Sequence, residues 1–122
     1  MSVIPAGQLS VVAYPTSIGL RLAVSGEIDI ATVDKLTAAL QFALDQRPQT
    51  LVIDLADVPF MASAGVTALL GAYRQATAAG IPLVVANCGA TVERVLEITG
   101  VLPALNRVHT LEEALRPPGA PS

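Results

Sequence analysis

The sequence predicts an α/β fold, a mixed β-sheet of about four to five strands with about four helices packed mainly on one face. Three observations carry this reading. Two apolar or alternating runs near the start are separated only by a short break around Pro15-Thr16-Ser17, the spacing of an antiparallel hairpin. Beyond them, strand-length apolar runs alternate with stretches whose apolar residues recur at helical spacing. One of those runs, Leu51-Val52-Ile53-Asp54-Leu55, is almost unbroken, as a strand buried on both faces between helices requires.

Taken in order, residues 9–14 and 19–25 are the hairpin strands. Val33, Leu36, Leu40 and Leu44 then mark a first helix over about 30–44. Asp29 precedes it with a carboxylate able to accept backbone N–H groups at its start, and Arg47-Pro48 breaks it. Residues 50–55 form a central strand. A second helix begins near Ser63 with Val66, Leu69, Leu70, Tyr73 and Thr77 on its inward face, and Gly80 stops it. Residues 82–86 are a further buried strand with Pro82 at its first position, where a missing N–H costs least. Residues 91–99 read as a third helix with Val92, Val95, Leu96 and Thr99 inward and Gly100 ending it. A short strand over 106–109 follows. Thr110-Leu111-Glu112-Glu113 is a capping box that opens a final helix to residue 116. Residues 1–7 are an N-terminal segment, 8–116 one domain, and 117–122 a flexible tail.

Composition excludes several classes. The chain of 122 residues is 52% hydrophobic and 14% charged, a core-forming rather than a disordered balance. Its apolar runs are interrupted well short of the ~18 residues of a membrane span, and its first residues lack the pattern of a signal peptide. A formal net charge of -3, with Lys35 the only lysine, argues against direct nucleic-acid binding. Cys88 is the only cysteine, so neither an internal disulfide nor a cysteine metal cluster is expected. A cytoplasmic protein without cofactor or metal is expected, a monomer or a weak homodimer pairing through an N-terminal edge strand.

Few residues carry chemistry. Ser63, Asp54 and His109, the only histidine, would be the members of a small serine hydrolase, but no Gly-x-Ser-x-Gly elbow surrounds the serine. Asp54 and Asp57 lack further ligands for a metal and fit a solvated turn with an Asx-type bond. Cys88 reads as a small filler after a strand, and Tyr73 as core.

Ser63 stands apart, within "FMASAGVTALLGAYRQA", where a strand hands over to a helix. One reading makes it the helix N-cap, its hydroxyl accepting the N–H of Gly65 or Val66, worth roughly 1 kcal/mol. The other starts from its neighbours. Ala62, Ala64 and Gly65 leave the hydroxyl open to a large visitor. The positive end of the helix would stabilise a phosphate there, so a phosphoserine would add about -2 charge without breaking the fold. The same charge would be costly beneath a partner's surface.

The stretch "LVIDLADVPFMASAGVTALLGAYRQATAAG" (51–80) resembles the signature of STAS domains, in particular the bacterial anti-sigma factor antagonists. "VSGEIDIATVDKLTAAL" (24–40) is similar to the family's second strand, Gly-Glu-hydrophobic-Asp turn and first helix. "VERVLEITGVLPALNRVHTLEEAL" (92–115) is similar to its C-terminal helix-strand-helix, so the resemblance covers residues 8–116 in the family's order. It implies a partner-switching protein without catalytic activity. The unmodified antagonist binds an anti-sigma factor that is often also its serine kinase, freeing a sigma factor for transcription. Phosphorylation blocks the binding and a phosphatase resets it. The phosphoacceptor maps onto Ser63, and the partner surface onto Glu27, Asp29, Met61, Ala62, Ser63, Ala64 and Gly65. Glu27 and Asp29 either shape that surface or cap the helix. Where the family's motif carries an aspartate and a second hydroxyl, this chain has Ala62 and Ala64. A second role within the same fold is a STAS subunit of another assembly, such as a lipid-transport or stressosome-like complex.

Overall fold

The computed structural model describes residues 8–100 and 106–108. Five strands form one sheet in the spatial order β1 (Leu9–Thr16), β2 (Gly19–Gly26), β3 (Leu51–Asp57), β4 (Leu83–Ala86) and β5 (Asn106–Val108). β1 pairs antiparallel with β2, and every later pairing is parallel. The helices are α1 (Val33–Asp45), α2 (Ser63–Ala78) and α3 (Ala90–Ile98), each linking neighbouring parallel strands. Three helices lie among the described residues against about four expected; the expected fourth, over 110–116, falls outside them, as do the segments 1–7 and 117–122 and the proposed end of β5 at His109.

Parallel neighbours need crossovers, and crossovers are almost always right-handed. Three of them, each stepping one strand the same way across the sheet, place α1, α2 and α3 on one face. The packing shows it. Alternate strand residues point to opposite faces, and Leu22, Val24, Leu51, Ile53, Leu55, Leu83 and Val85 join Leu36, Leu40, Leu69, Val92 and Leu96 in one core. Residues of the other parity, Val52 and Ala86 with Val84 against them, form a second small cluster on the opposite face. β3 lies in the middle of the sheet with Leu51 to Leu55 all buried, as its almost unbroken apolar run predicts.

Several boundaries move. β1 runs through Pro15 and Thr16, so the hairpin loop is only Ser17-Ile18, with the Ile18 N–H bonded to the Thr16 hydroxyl at 3.2 Å. Proline is tolerated there because β1 is an edge strand. β4 begins at Leu83 rather than Pro82, while the Pro82 carbonyl still accepts the Leu51 N–H at 2.9 Å. α1 begins at Val33, three residues after the expected start. Asp29 does accept backbone N–H groups, those of Ala31 at 2.9 Å and Thr32 at 3.0 Å, but it closes a turn ahead of the helix instead of capping it. α1 ends before Arg47, whose φ of 51° and following proline both oppose helix. α3 spans Ala90–Ile98, and Thr99 is exposed, its hydroxyl turned back onto the Val95 carbonyl at 2.8 Å.

The largest correction concerns α2. Its buried residues are Gly65, Val66, Leu69, Ala72 and Ala76, while Leu70 and Tyr73 are half-buried and Thr77 is exposed. Val66 and Leu69 face inward as expected and Tyr73 packs against the core from its margin, but Gly65, Ala72 and Ala76 complete the inward face in place of Leu70 and Thr77. Small side chains let the helix sit close to its neighbours, and the volume of Leu70 is left to the flank.

Candidate functional site

The loops at the C-terminal ends of β2, β3 and β4 gather at one end of the sheet, where ligands and partners meet such folds. The first two are stitched together. Ile28 and Met61 form an isolated parallel bridge. The Ile28 N–H donates to the Phe60 carbonyl at 3.1 Å, and the Ala62 N–H donates to the Ile28 carbonyl at 2.7 Å. The segment holding Glu27 and Asp29 is thereby fixed beside the segment holding Ser63, although the two are more than thirty residues apart in sequence.

Ser63 is exposed and is the first residue of α2. It is not the N-cap. Ala62 holds that position, with extended backbone at φ -79° and ψ 169°, and no side chain caps the helix. The Gly65 N–H is taken by the Ala62 carbonyl at 2.9 Å instead of by a hydroxyl. Among the described residues nothing bonds to the Ser63 hydroxyl; its carbonyl accepts the Thr67 hydroxyl at 3.2 Å. The first turn of α2 carries no acidic residue either. The positive end of the helix dipole therefore faces outwards beside a free hydroxyl.

This geometry makes Ala62→Asp a stabilising change. The extended backbone at 62 is that of an N-cap, so an aspartate there is expected to gain about 1 kcal/mol from the orphan N–H groups and the dipole. Urea denaturation should show a raised midpoint with an unchanged slope.

The small residues of the turn have different jobs. Ala62 and Ala64 are half-buried and flank the serine. Gly65 is buried and looks inward: a Cβ there would lie 2.5 Å from Met61 Cγ and 2.6 Å from Ile28 Cγ2, both on fully buried side chains. Gly65 thus lets α2 start directly over the bridge between the loops. Met61 and Gly65 lie beneath the surface. Of the described residues in the two bridged loops, Ile30, at 86% exposure, and Phe60, at 45%, are exposed large apolar side chains. Sequence reasoning left both out of the site; Ile30, directly after Asp29, had a local signal, whereas Phe60 lies within the apolar run Val58-Pro59-Phe60-Met61 and is marked only by its exposure. Beside Ser63 a groove of about 480 Å³ runs between α1 and α2, bordered by Val33, Thr37, Ala64, Thr67, Ala68 and Gly71.

The expected solvated turn at Asp54 and Asp57 needs correcting. Asp57 is exposed, but Asp54 is 5% exposed and holds three partners. Its Oδ1 accepts the Ala56 N–H, which is the Asx-type bond, and the Asn87 side-chain N–H, each at 3.0 Å. Its Oδ2 accepts Arg21 Nε at 3.1 Å, and that guanidinium lies 4.9 Å from the centre of the Tyr14 ring. A buried carboxylate survives only when paired in this way. Asn87 reaches it from a left-handed backbone, φ 60°, which asparagine tolerates. The cluster is spent on holding β2, β3 and the end of β4 together. Cys88 packs half-buried against the core, as a filler would. His109, the proposed base of a serine hydrolase, lies outside the described residues. Among the described residues no three metal-ligating side chains converge, and no helix is long and apolar enough to cross a membrane.

Comparison with known proteins agrees with this architecture. The family model of the STAS domain matches residues 11–114. The anti-sigma-F factor antagonist RsfB of Mycobacterium tuberculosis is 30% identical over 94 residues, covering 77% of this chain and 76% of that protein. The crystal structure of an anti-sigma factor antagonist from Mycobacterium paratuberculosis superposes with a TM-score of 0.83 at 26% identity, over 93% of this chain and 96% of the other. The antagonist SpoIIAA in its unphosphorylated form gives a TM-score of 0.70 at 25% identity, over 86% and 92%. Its phosphorylated form, from Bacillus, gives 0.65 at 24%, over 86% and 96%. With the family's pattern matched along most of its length, and the same fold in structures that share about a quarter of its residues, the chain belongs to the STAS domain family.

Proposed function

We propose that this chain is an anti-sigma factor antagonist, a cytoplasmic binding module without turnover of its own, and that phosphorylation of Ser63 switches it off. The partner is an anti-sigma factor of the serine-kinase type, and release of its sigma factor is the output; a phosphatase restores the unmodified form. The observation that carries the reading is a serine hydroxyl on the first residue of α2, exposed and unbonded among the described residues, beside a second loop fixed to it by two backbone hydrogen bonds. Glu27, Asp29, Ala62, Ser63 and Ala64, with Ile30 and Phe60 around them, supply the contact surface, and Met61 and Gly65 support it from below. The relatives named as antagonists favour this role, and SpoIIAA exists in both modified and unmodified forms.

The physical logic separates stability from affinity. A phosphate or carboxylate at Ser63 sits at the positive end of an uncapped helix, which favours it. Under a partner the same charge must shed its water without a matched cation. Ser63→Ala removes no cap, because Ala62 holds that position, so it should melt close to the parent and bind like it. Ser63→Glu should melt at or slightly above the parent yet bind at least about tenfold more weakly. Thermal melting together with titration calorimetry against the purified candidate anti-sigma kinase checks both. Equal affinities for parent, Ala and Glu forms would remove Ser63 from the switch.

A further inference from the structure

We propose that Thr32 is the positioning residue of the Ser63 turn, acting across the bridge between the two loops; its functional meaning rests on the reading of Ser63 as the switch, its geometry does not. Thr32 occupies the N-cap of α1 and is 6% exposed, yet its side chain caps nothing in that helix. A threonine there ordinarily bonds forward to the helix N–H groups. This one bonds backward. Its hydroxyl donates to the Glu27 carbonyl at 2.8 Å and accepts the Asp29 N–H at 3.0 Å. It therefore clamps both ends of the tripeptide whose middle residue is Ile28.

Ile28 is the residue that engages the other loop through both of its backbone groups, and its carbonyl holds the Ala62 N–H at 2.7 Å, the shortest of the backbone bonds in these turns. Ala62 directly precedes Ser63 and sets the start of α2. The path from the Thr32 hydroxyl to Ser63 is thus Glu27 and Asp29, then Ile28, then Ala62. The Asp29 carboxylate braces the following turn through Ala31 and Thr32 but does not reach Glu27. Without the Thr32 hydroxyl, the Glu27 carbonyl and the Asp29 N–H lose the partner that ties them together, and the bridge loses its support on one side.

The test is amide hydrogen exchange on the full chain for the parent, Thr32→Val and Thr32→Ser. Valine keeps the shape and removes the hydroxyl; serine keeps the hydroxyl. In Thr32→Val the Ala62 amide is expected to exchange about tenfold faster relative to that of Ile53 in the central strand, the change one lost hydrogen bond produces by local opening. Thr32→Ser should restore most of the protection. Reading Ala62 against Ile53 keeps the result meaningful if the valine form is globally less stable. An unchanged Ala62-to-Ile53 ratio, or one that serine fails to restore, overturns the proposal. The Ser63→Glu calorimetry is independent: if that variant binds like the parent while the exchange ratio shifts as expected, the positioning role stands and the switch reading falls.

Discussion

Gly19→Ala is expected to cost about 3–5 kcal/mol, combining backbone strain with a steric clash against the centre of the sheet. Gly19 opens β2 with φ at 152°, a conformation that side-chain-bearing residues rarely adopt. The space is closed as well. A Cβ would overlap the Thr50 carbonyl oxygen and press on the Thr50 nitrogen, 2.7 Å away. Both are backbone atoms, so no rotamer change relieves the contact. The same carbonyl accepts the Leu20 N–H at 3.0 Å, the bond that starts the β2–β3 pairing. An alanine must therefore push the hairpin off the central strand or break that bond. Urea denaturation gives the number directly. A loss below about 1 kcal/mol would mean that the hairpin turn shifts freely against β3, contrary to the close approach at Thr50.

Leu69→Ala is expected to cost about 2–5 kcal/mol, and its comparison with Leu70→Ala is more informative than either alone. Leu69 is fully buried and belongs to the main core, in the middle of the inward face of α2. Truncation leaves a cavity between that helix and the sheet, and the loss of transferred area adds to the cost of the cavity. Leu70 is half-buried on the flank, so its truncation should cost at most about half as much. Similar losses at both positions would place the two leucines on one inward face, as the large-residue pattern suggested, and would contradict the small-residue face seen here. Denaturant midpoints for the two variants decide it.

Most of the architecture was legible because it follows from short-range pattern. The almost unbroken apolar run of β3, the start of β2 at Gly19, and the helix-ending glycines at 80 and 100 each depend on a few neighbouring residues, and each fell where it was expected. What the pattern could not give were relations set by register. Asp54 meets Arg21 because parallel pairing puts Ala23 opposite Asp54 and Arg21 opposite Val52, which brings the two side chains onto one face. No local rule fixes that register, so a buried and triply bonded carboxylate looked like a turn residue. The face of α2 was misjudged in part for a related reason: hydrophobic periodicity weighs large side chains, while the helix turned Gly65, Ala72 and Ala76 inward beside Val66 and Leu69. In the site, the location of Ser63 was readable from the strand-to-helix switch. Its displacement from the cap by one residue was not, since the cap is defined by backbone angles at Ala62. The resemblance supplied Glu27 and Asp29, but not the Ile28–Met61 bridge that brings them alongside.

The strictly sequential strand order, β1 to β5, has a consequence for how the protein is made. Among the described residues no strand is inserted between two earlier ones. As the chain leaves the ribosome, the hairpin can form first from neighbouring residues, and each later strand then meets an edge that was synthesised just before it. Growth takes place at one edge only, opposite β1, and the intervening helix is available to cover the face behind it. Assembly can proceed vectorially, in the direction of translation, with each closure joining neighbouring strands through a single crossover helix and with no finished portion having to reopen.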